Sequence, residues 1–290
     1  DLTDCMDSVL AQQTAFPVQH IIVDDRSTDD TRQIIYEYAQ KHASIHPIFL
    51  PSYQPGGKNV QVLFDACRSP FAAICDGDDY FTDPQKLQKQ VDFLTANPDC
   101  GLCFHPVQVV YEDGTQRQRI HPPLELLPRG VRSHYYLADL LQTNIIQTNS
   151  VMYRWRFRDG LPAWFRSDLV PGDWYWHILH AEMGKIGFIN EIMGVYRRHK
   201  SSVYYSVELD NTVEHRLKHG IKELAFYDAV NTHFSNKYLR RLQWFANGVF
   251  ADLFNYQLKT DDSTALDEAI EKYPHFAAGF LKEIRSNIEK

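Results

Sequence analysis

"FAAICDGDDYFTDP", residues 71–84, is the stretch on which the fold turns. An apolar run of strand composition ends in Asp76, Asp78 and Asp79, three carboxylates within four positions. Like charges packed that closely repel, so acids gathered at a strand end need something positive among them. Gly77 leaves the backbone able to approach a ligand. Hard oxygen donors in this number suit Mg²⁺ or Mn²⁺, which keep several waters and bridge one or two carboxylates to substrate phosphates. A solvated turn is the bland alternative, but turn acids are usually dispersed rather than set directly against a β-type run.

Outward from this point strands and helices alternate. "VQHIIVD" (18–24) reads as a strand, and "STDDTRQIIYEYAQKH" (27–42) as a helix capped by Ser27 or Thr28. "IHPIFLP" (45–51) is a short strand. "GKNVQVLFDACRS" (57–69) is a helix entered through Gly56 and Gly57. After the strand "FAAICD" (71–76) comes a helix over 83–98, with Asp83 as cap, Pro84 at its first position and Pro98 beyond its end. This spacing implies βαβ units and a mostly parallel sheet, whose ligands bind at the carboxyl ends of strands. Asp24 with Asp25, and the Asp76–Asp79 group, both fall there.

From about residue 101 the texture changes. Residues 101–121 read as two antiparallel strands around a turn at 112–114. A short helix near 133–141, a strand over 145–155, a helix from Asp173 and a strand pair over 185–199 follow. Beyond about residue 205 helical periodicity runs to the end. At the other end, residues 1–13 form an amphipathic helix capped by Asp1 or Thr3, with no initiator Met and no strand before it, so a fragment is expected.

The chain has 290 residues, 44% apolar and 23% charged, enough for one large or two modest domains. Thirty basic against 37 acidic residues give a charge of −7, and without a basic tract nucleic acid is excluded as a main partner. No apolar run reaches the ~18 residues of a membrane span, and no leader opens the chain, so a cytoplasmic setting is expected. Five cysteines, an odd number, argue for reduced thiols, with Cys100 and Cys103 of "CGLC" as core residues rather than zinc ligands.

"SVLAQQ", "IIVDDRSTDDT", "CDGDDYFTDPQKLQKQVDFL", "GDW" and "VYRRHKSS", in that order, resemble a bacterial-type family 2 glycosyltransferase over residues 1 to about 205. The resemblance implies the GT-A fold, an α/β Rossmann-like architecture with a mixed, mostly parallel sheet flanked by helices. It divides the chain into a catalytic domain, 1–204, and a helical C-terminal extension, 205–290; the domain has a nucleotide-binding half, 1–104, and an acceptor half, 105–204. It places Asp24 and Asp25 at the nucleobase, Asp76 at the ribose, and Asp78 and Asp79 at a Mn²⁺ or Mg²⁺ ion. His199 joins the metal, Arg197 and Trp174 the diphosphate or acceptor, and Asp173 is the general base. Lys58 is a further nucleotide contact, although residues 56–62 depart from the family's Asn-x-Gly pattern. The strand that normally opens the family, between those ending at Asp24 and Asp76, is absent.

The implied activity is metal-dependent inverting sugar transfer from a nucleotide sugar, a UDP-sugar first, to a glycan or lipid-linked acceptor in surface polysaccharide synthesis. Such transfer needs a carboxylate to take the acceptor's proton while cations stabilise the departing diphosphate. From the residues alone, Asp173 could equally cap its helix, and His199 could belong to a surface basic run. Two other classes compete: a haloacid-dehalogenase-like phosphohydrolase, in which Tyr80 stands where Thr or Val belongs, and a receiver-like, non-catalytic nucleotide-binding module. His177 with His180, and His215 with His219, have metal-like spacing but lack the Glu of H-E-x-x-H, and read as satisfied or surface histidines. In 240–254 an apolar face with Trp244, Phe245, Val249, Phe250, Leu253 and Phe254 reads as core or as a second subunit's seat, and otherwise as a peripheral contact with the inner membrane face.

Overall fold

The computed structural model describes residues 2–53, 57–114, 116–199 and 212–288. Asp1 and Gly56, and residues 200–202 and 205–211, which carry expectations above, lie outside the described residues. Contacts divide the chain into two units, 1–168 with 176–198, and 169–175 with 199–290.

The first unit opens with α1 (Leu2–Leu10), β1 (His20–Asp24), α2 (Thr31–Lys41), β2 (Ile45–Phe49), α3 (Lys58–Ala66) and β3 (Phe71–Ala73). β4 (Tyr80–Phe81), α4 (Lys86–Ala96), β5 (Cys100–Phe104), β6 (Val107–Tyr111), β7 (Arg119–His121) and β8 (His134–Tyr135) follow. The series ends with α5 (Leu137–Leu140), β9 (Met152–Arg154), α6 (Gly172–Ala181, in this unit from Trp176), β10 (Lys185–Phe188) and β11 (Gly194–Arg198). These make a parallel pair β1-β2, a five-stranded sheet β3-β9-β5-β10-β8 and a four-stranded sheet β4-β11-β6-β7. The pairing is mixed: β1 with β2, β5 with β10 and β6 with β11 are parallel, whereas β9 enters antiparallel between β3 and β5. The strands ending at Asp24 and near Asp76 thus belong to different sheets, and among the described residues no strand joins them.

The sequence explains most of these boundaries. β5 is buried at every position, and Cys100 and Cys103 lie within it as thiols, as their apolar setting predicts. A Cβ at Gly101 would sit 2.1 Å from the His180 carbonyl oxygen, so this glycine is what lets β5 meet α6. The hairpin expected over 101–121 is instead β6 with β7 alone, turning through Gly114 at φ 66°. β5 departs to the other sheet because Pro106 cannot donate to a ladder and the His105 ring closes back on the Pro106 carbonyl, Nδ1 to O 2.9 Å. Likewise β10 and β11 join different sheets rather than each other. α2 starts later than its capping pattern suggests: Arg26 is left-handed (φ 62°) and the Ser27 N–H is held by Asp24, so Asp29 Oδ1 takes the Thr31 N–H instead. α4 likewise starts later than Asp83 and Pro84 suggest, at Lys86 with Gln85 at its N-cap, and Asp83 instead holds the turn before it by accepting the Gln85 N–H at 2.8 Å.

Phe104, wholly buried, packs against Tyr135 and Phe188 at centroid separations of 6.1 and 5.0 Å. Phe104→Ala is expected to cost about 3–5 kcal/mol, since the strand around it cannot collapse into the void, and urea unfolding would read the loss. Lys86 is the unit's anomaly, a fully buried ammonium 4.0 Å from the Phe81 ring centroid that donates to Gln90 Oε1 at 2.8 Å. Burial pulls its pKa down to about 8. Below that pH both folded and unfolded chains carry the charge and the penalty is fully present. Between about 8 and the unfolded value near 10.4 the unfolded chain binds more protons, so stability rises with pH. Lys86→Met is expected to remove that alkaline rise; an unchanged pH profile would show that the group is not the source.

The second unit contains α7 (Thr212–His233), α8 (Leu239–Thr260), α9 (Thr264–Lys272) and α10 (Pro274–Ile288). Its core takes Phe226 and Val230 from α7, Val249, Phe250 and Leu253 from α8, and Phe276 and Phe280 from α10. The apolar face expected over 240–254 is therefore largely core, with Trp244 and Phe254 left exposed. Among the described residues no helix is long and apolar enough to cross a membrane.

Candidate nucleotide and metal site

After β3 the chain leaves the sheet and turns back at once: the Asp79 N–H bonds the Asp76 carbonyl at 2.9 Å. The resulting loop presents Asp76 exposed, Asp78 half-buried and Asp79 fully buried. Asp79 Oδ1 accepts the backbone N–H of Arg197 at 2.9 Å, tying the loop to β11. Its other oxygen is buried without a hydrogen-bond partner among the described residues. Burial first, and then the charge of Asp76, push the Asp79 carboxyl up to about 9, with Asp78 adding to the rise and the Arg197 N–H opposing it. The repulsion read from the sequence is therefore present in the fold. Tyr196, in β11, belongs to the same neighbourhood: burial raises its phenol to about 12, and the anions of Asp79, Asp76 and Asp78 add to the effect.

Arg197 organises this loop. Its Nε–H donates to the Asp78 carbonyl, its terminal nitrogen donates to Asp4 Oδ2 at 2.9 Å, and its guanidinium lies 5.3 Å from the Tyr80 ring centroid. The resemblance puts Arg197 at the diphosphate; the structure leaves it 9% exposed, with Nε–H and one terminal nitrogen engaged within the protein. α1 completes the clamp, with Ser8 Oγ accepting the Phe81 N–H at 3.0 Å and Leu2 lying over Gly77. Asp4, Tyr196 and Ser8 were not among the sequence candidates. Asp4 and Ser8 carry no local signal, because what defines them is a partner 193 and 73 positions away.

The other acid pair divides its labour. Asp24 is buried, accepts the Ser27 N–H through Oδ1 at 3.1 Å and pairs with Arg32 Nε through Oδ2 at 2.6 Å. Burial alone would raise its pKa, but the Ser27 and Arg32 hydrogen bonds outweigh it and hold the carboxyl below the usual range. Asp24 thus shapes the β1–α2 turn, while Asp25 beside it is half-buried. Lys58 is exposed at the first position of α3, after Gly57 at φ 68°, where a Cβ would meet the Ser167 carbonyl at 2.1 Å.

Asp173 and Trp174 belong to the second unit. Asp173 is half-buried in the first turn of α6, where its Oδ1 accepts the Trp174 N–H at 2.8 Å. The Trp174 ring is buried, 5.3 Å from the centroids of both Phe226 and Phe245, so it packs in that unit's core. His199, half-buried, directly follows β11. The histidine pairs are structural: His177 Nδ1 meets the Tyr153 hydroxyl at 2.7 Å, His180 Nδ1 the Trp176 carbonyl at 2.8 Å, and His215 Nε2 pairs with Glu223 at 2.9 Å.

Among the described residues no three His, Cys, Asp or Glu side chains are grouped to hold a metal by themselves. An acid loop with hard oxygen donors and one unspent buried oxygen nevertheless fits a Mg²⁺-like ion that takes one or two carboxylates and completes its shell with phosphate and water.

A mixed sheet with acids after its strand ends and a helical flank is the GT-A fold, and solved structures share it. Staphylococcus aureus TarS 1–349 in complex with UDP-GlcNAc superposes with a TM-score of 0.55 over 97% of this chain and 84% of that one, at 16% identity. The mannosyltransferase PcManGT of Pyrobaculum calidifontis, in complex with GDP-Man and Mn²⁺, gives 0.53 over 97% and 79%, at 15% identity. Residues 1–165 match Glycosyl transferase family 2, and the chain belongs to that family. The uncharacterized protein Rv1520 of Mycobacterium tuberculosis is 41% identical over 211 residues, 72% of this chain and 58% of that protein. TuaG of Bacillus subtilis, described as a teichuronic acid biosynthesis glycosyltransferase, is 30% identical over 170 residues, 56% of this chain and 65% of TuaG. The chain thus spans less than two thirds of the length of these relatives. Family membership displaces the phosphohydrolase and receiver-like alternatives.

Proposed function

We propose that this chain carries out metal-dependent, inverting transfer of a sugar from a nucleotide sugar, a UDP-sugar first, to a glycan or lipid-linked acceptor in surface polysaccharide synthesis. The observation that carries the reading is the acid loop after β3, held against β11 by Arg197 through the Asp78 carbonyl and the Asp79 carboxyl. Family membership supports it, as do the nucleotide sugars in TarS and PcManGT and the role described for TuaG.

In this reading Asp25 accepts an N–H of the base, with Asp24 fixing the turn that presents it, and Lys58 adds a donor contact. Asp76 faces the ribose, and Asp78 holds Mn²⁺ or Mg²⁺ with the donor's diphosphate. Asp79 spends one oxygen on β11 and would offer the other to the same cation, while His199 is a further ligand from the end of that strand. The cation, when bound, neutralises charge on the departing diphosphate. Arg197 positions the loop through its Nε–H and faces the diphosphate as the resemblance implies. Asp173 takes the proton from the acceptor hydroxyl as its oxygen forms a bond to the anomeric carbon and the bond to the diphosphate breaks, which inverts the centre. Trp174 fixes the first turn of α6 and so the backbone bearing Asp173. Exposed Trp244, with the Arg241 guanidinium 4.8 Å from its ring centroid, supports peripheral contact with an anionic membrane where a lipid-linked acceptor resides; a homo-oligomer through α7–α10 is the other use of that surface.

The test is to supply UDP- and GDP-sugars with and without glycan acceptors and to follow nucleoside diphosphate release. Release that needs an acceptor, with a product of inverted anomeric configuration, is expected. Inorganic phosphate released from the donor without any acceptor would overturn the reading.

A further inference from the structure

The second unit contains a cleft of about 430 Å³ where three helix ends meet. The last turns of α7 supply Asp228, Asn231 and Thr232, the first turns of α8 supply Leu239 and Gln243, and His275 stands at the start of α10. Asn236 closes it from the α7–α8 turn, where Ser235 and Asn236 are both left-handed (φ 49° and 66°).

The chemistry of the wall selects its ligand. Three carboxamides, a hydroxyl, an imidazole and one carboxylate line it, and no Lys or Arg does, so a phosphate, sulfate or carboxylate ligand finds no counter-charge. Asp228 is already engaged with His275 (Oδ1 to Nε2 3.2 Å), which spends the one formal anion. Asn231 is 5% exposed and donates to Asn236 Oδ1 at 2.7 Å, while its own Oδ1 is buried with no partner among the described residues. Leu239, 38% exposed, adds an apolar surface beside the amides. Gln243 Nε2 donates to Asn247 Oδ1 and to the Phe276 carbonyl, so the Asn236 amide N–H groups, the Gln243 carbonyl oxygen and the Thr232 hydroxyl are the groups that match vicinal hydroxyls on one edge of a pyranose, with Leu239 against the C–H groups on its face.

We infer that this cleft binds an uncharged sugar ring of a glycan, as an accessory carbohydrate site in the helical unit. The choice of a glycan rests on the proposed transfer reaction; the neutral, polyhydroxylated character of the ligand rests on the cleft itself. A glycan held there is kept on the same chain as the transferase unit and so at a raised effective concentration.

The full chain is probed by saturation-transfer NMR and calorimetry with methyl glycosides of glucose and N-acetylglucosamine and with the corresponding trisaccharides. Binding is expected, tighter for the trisaccharides. Thr232→Arg, which fills the cleft from an exposed helical position, is expected to weaken binding by about tenfold or more, with Asn236→Gly, which keeps the left-handed turn, weakening it similarly. Both variants should leave UDP affinity unchanged. Absence of binding by every sugar, or binding that both variants retain, overturns the inference. Because donor affinity is measured on the same samples, loss of UDP binding with sugar binding intact would count against the transferase reading and leave the cleft standing.

Discussion

Asp173→Asn turns over about 10³-fold more slowly than the parent chain while its nucleotide-sugar affinity stays within about twofold. The substitution isolates chemistry from architecture. The carbonyl oxygen of Asn can still accept the Trp174 N–H that Asp173 Oδ1 holds at 2.8 Å, so the first turn of α6 survives. What disappears is a group able to take a proton from an attacking hydroxyl. Asp173→Ala removes that hydrogen bond as well, and its further cost of about 1 kcal/mol should show in thermal unfolding but not in the comparison of turnover. Single-turnover kinetics separate the two effects, and undiminished turnover in Asp173→Asn would remove this residue from the mechanism.

Asp78→Ala abolishes cation-dependent donor binding, weakening nucleotide affinity in the presence of Mn²⁺ by about 100-fold or more and leaving the cation-free affinity as it was. The reason lies in how the loop is fixed. Arg197 holds position 78 by its backbone carbonyl and position 79 by its N–H to the carboxyl, so truncating the Asp78 side chain leaves both anchors in place. A loss of donor binding then reports on ligation rather than on collapse of the loop. Nucleotide binding that retained its full response to Mn²⁺ in this variant would place the cation elsewhere.

The parts of this molecule legible in the sequence are those whose causes are local. Asp76, Asp78 and Asp79 announce themselves because their repulsion is between neighbours in the chain, and the helix at 86–96 because Asp83 and Pro84 precede it. Burial of Cys100 and Cys103 follows from the apolar run around them. The rest depends on partners distant in sequence. The sequence does not show that Arg197 also ties the acid loop to Asp4, Tyr80 and the Asp78 carbonyl. Nor does it show that Asp24 also fixes the β1–α2 turn through Ser27 and Arg32. β4 and β8 are two residues long and leave no periodicity, existing only because β11 and β10 pass beside them. The division of 101–121 between two sheets turns on Pro106, whose effect on pairing is local but whose consequence is topological.

Titrating UDP into the protein with Mn²⁺ present, and again with a chelator, bears most directly on the claim that the acid loop shares a divalent cation with a nucleotide's diphosphate. The expected result is that Mn²⁺ tightens UDP binding by about tenfold or more and that UDP tightens Mn²⁺ binding by the same factor, since the coupling is reciprocal. UDP bound with equal affinity in manganese and in chelator would contradict it.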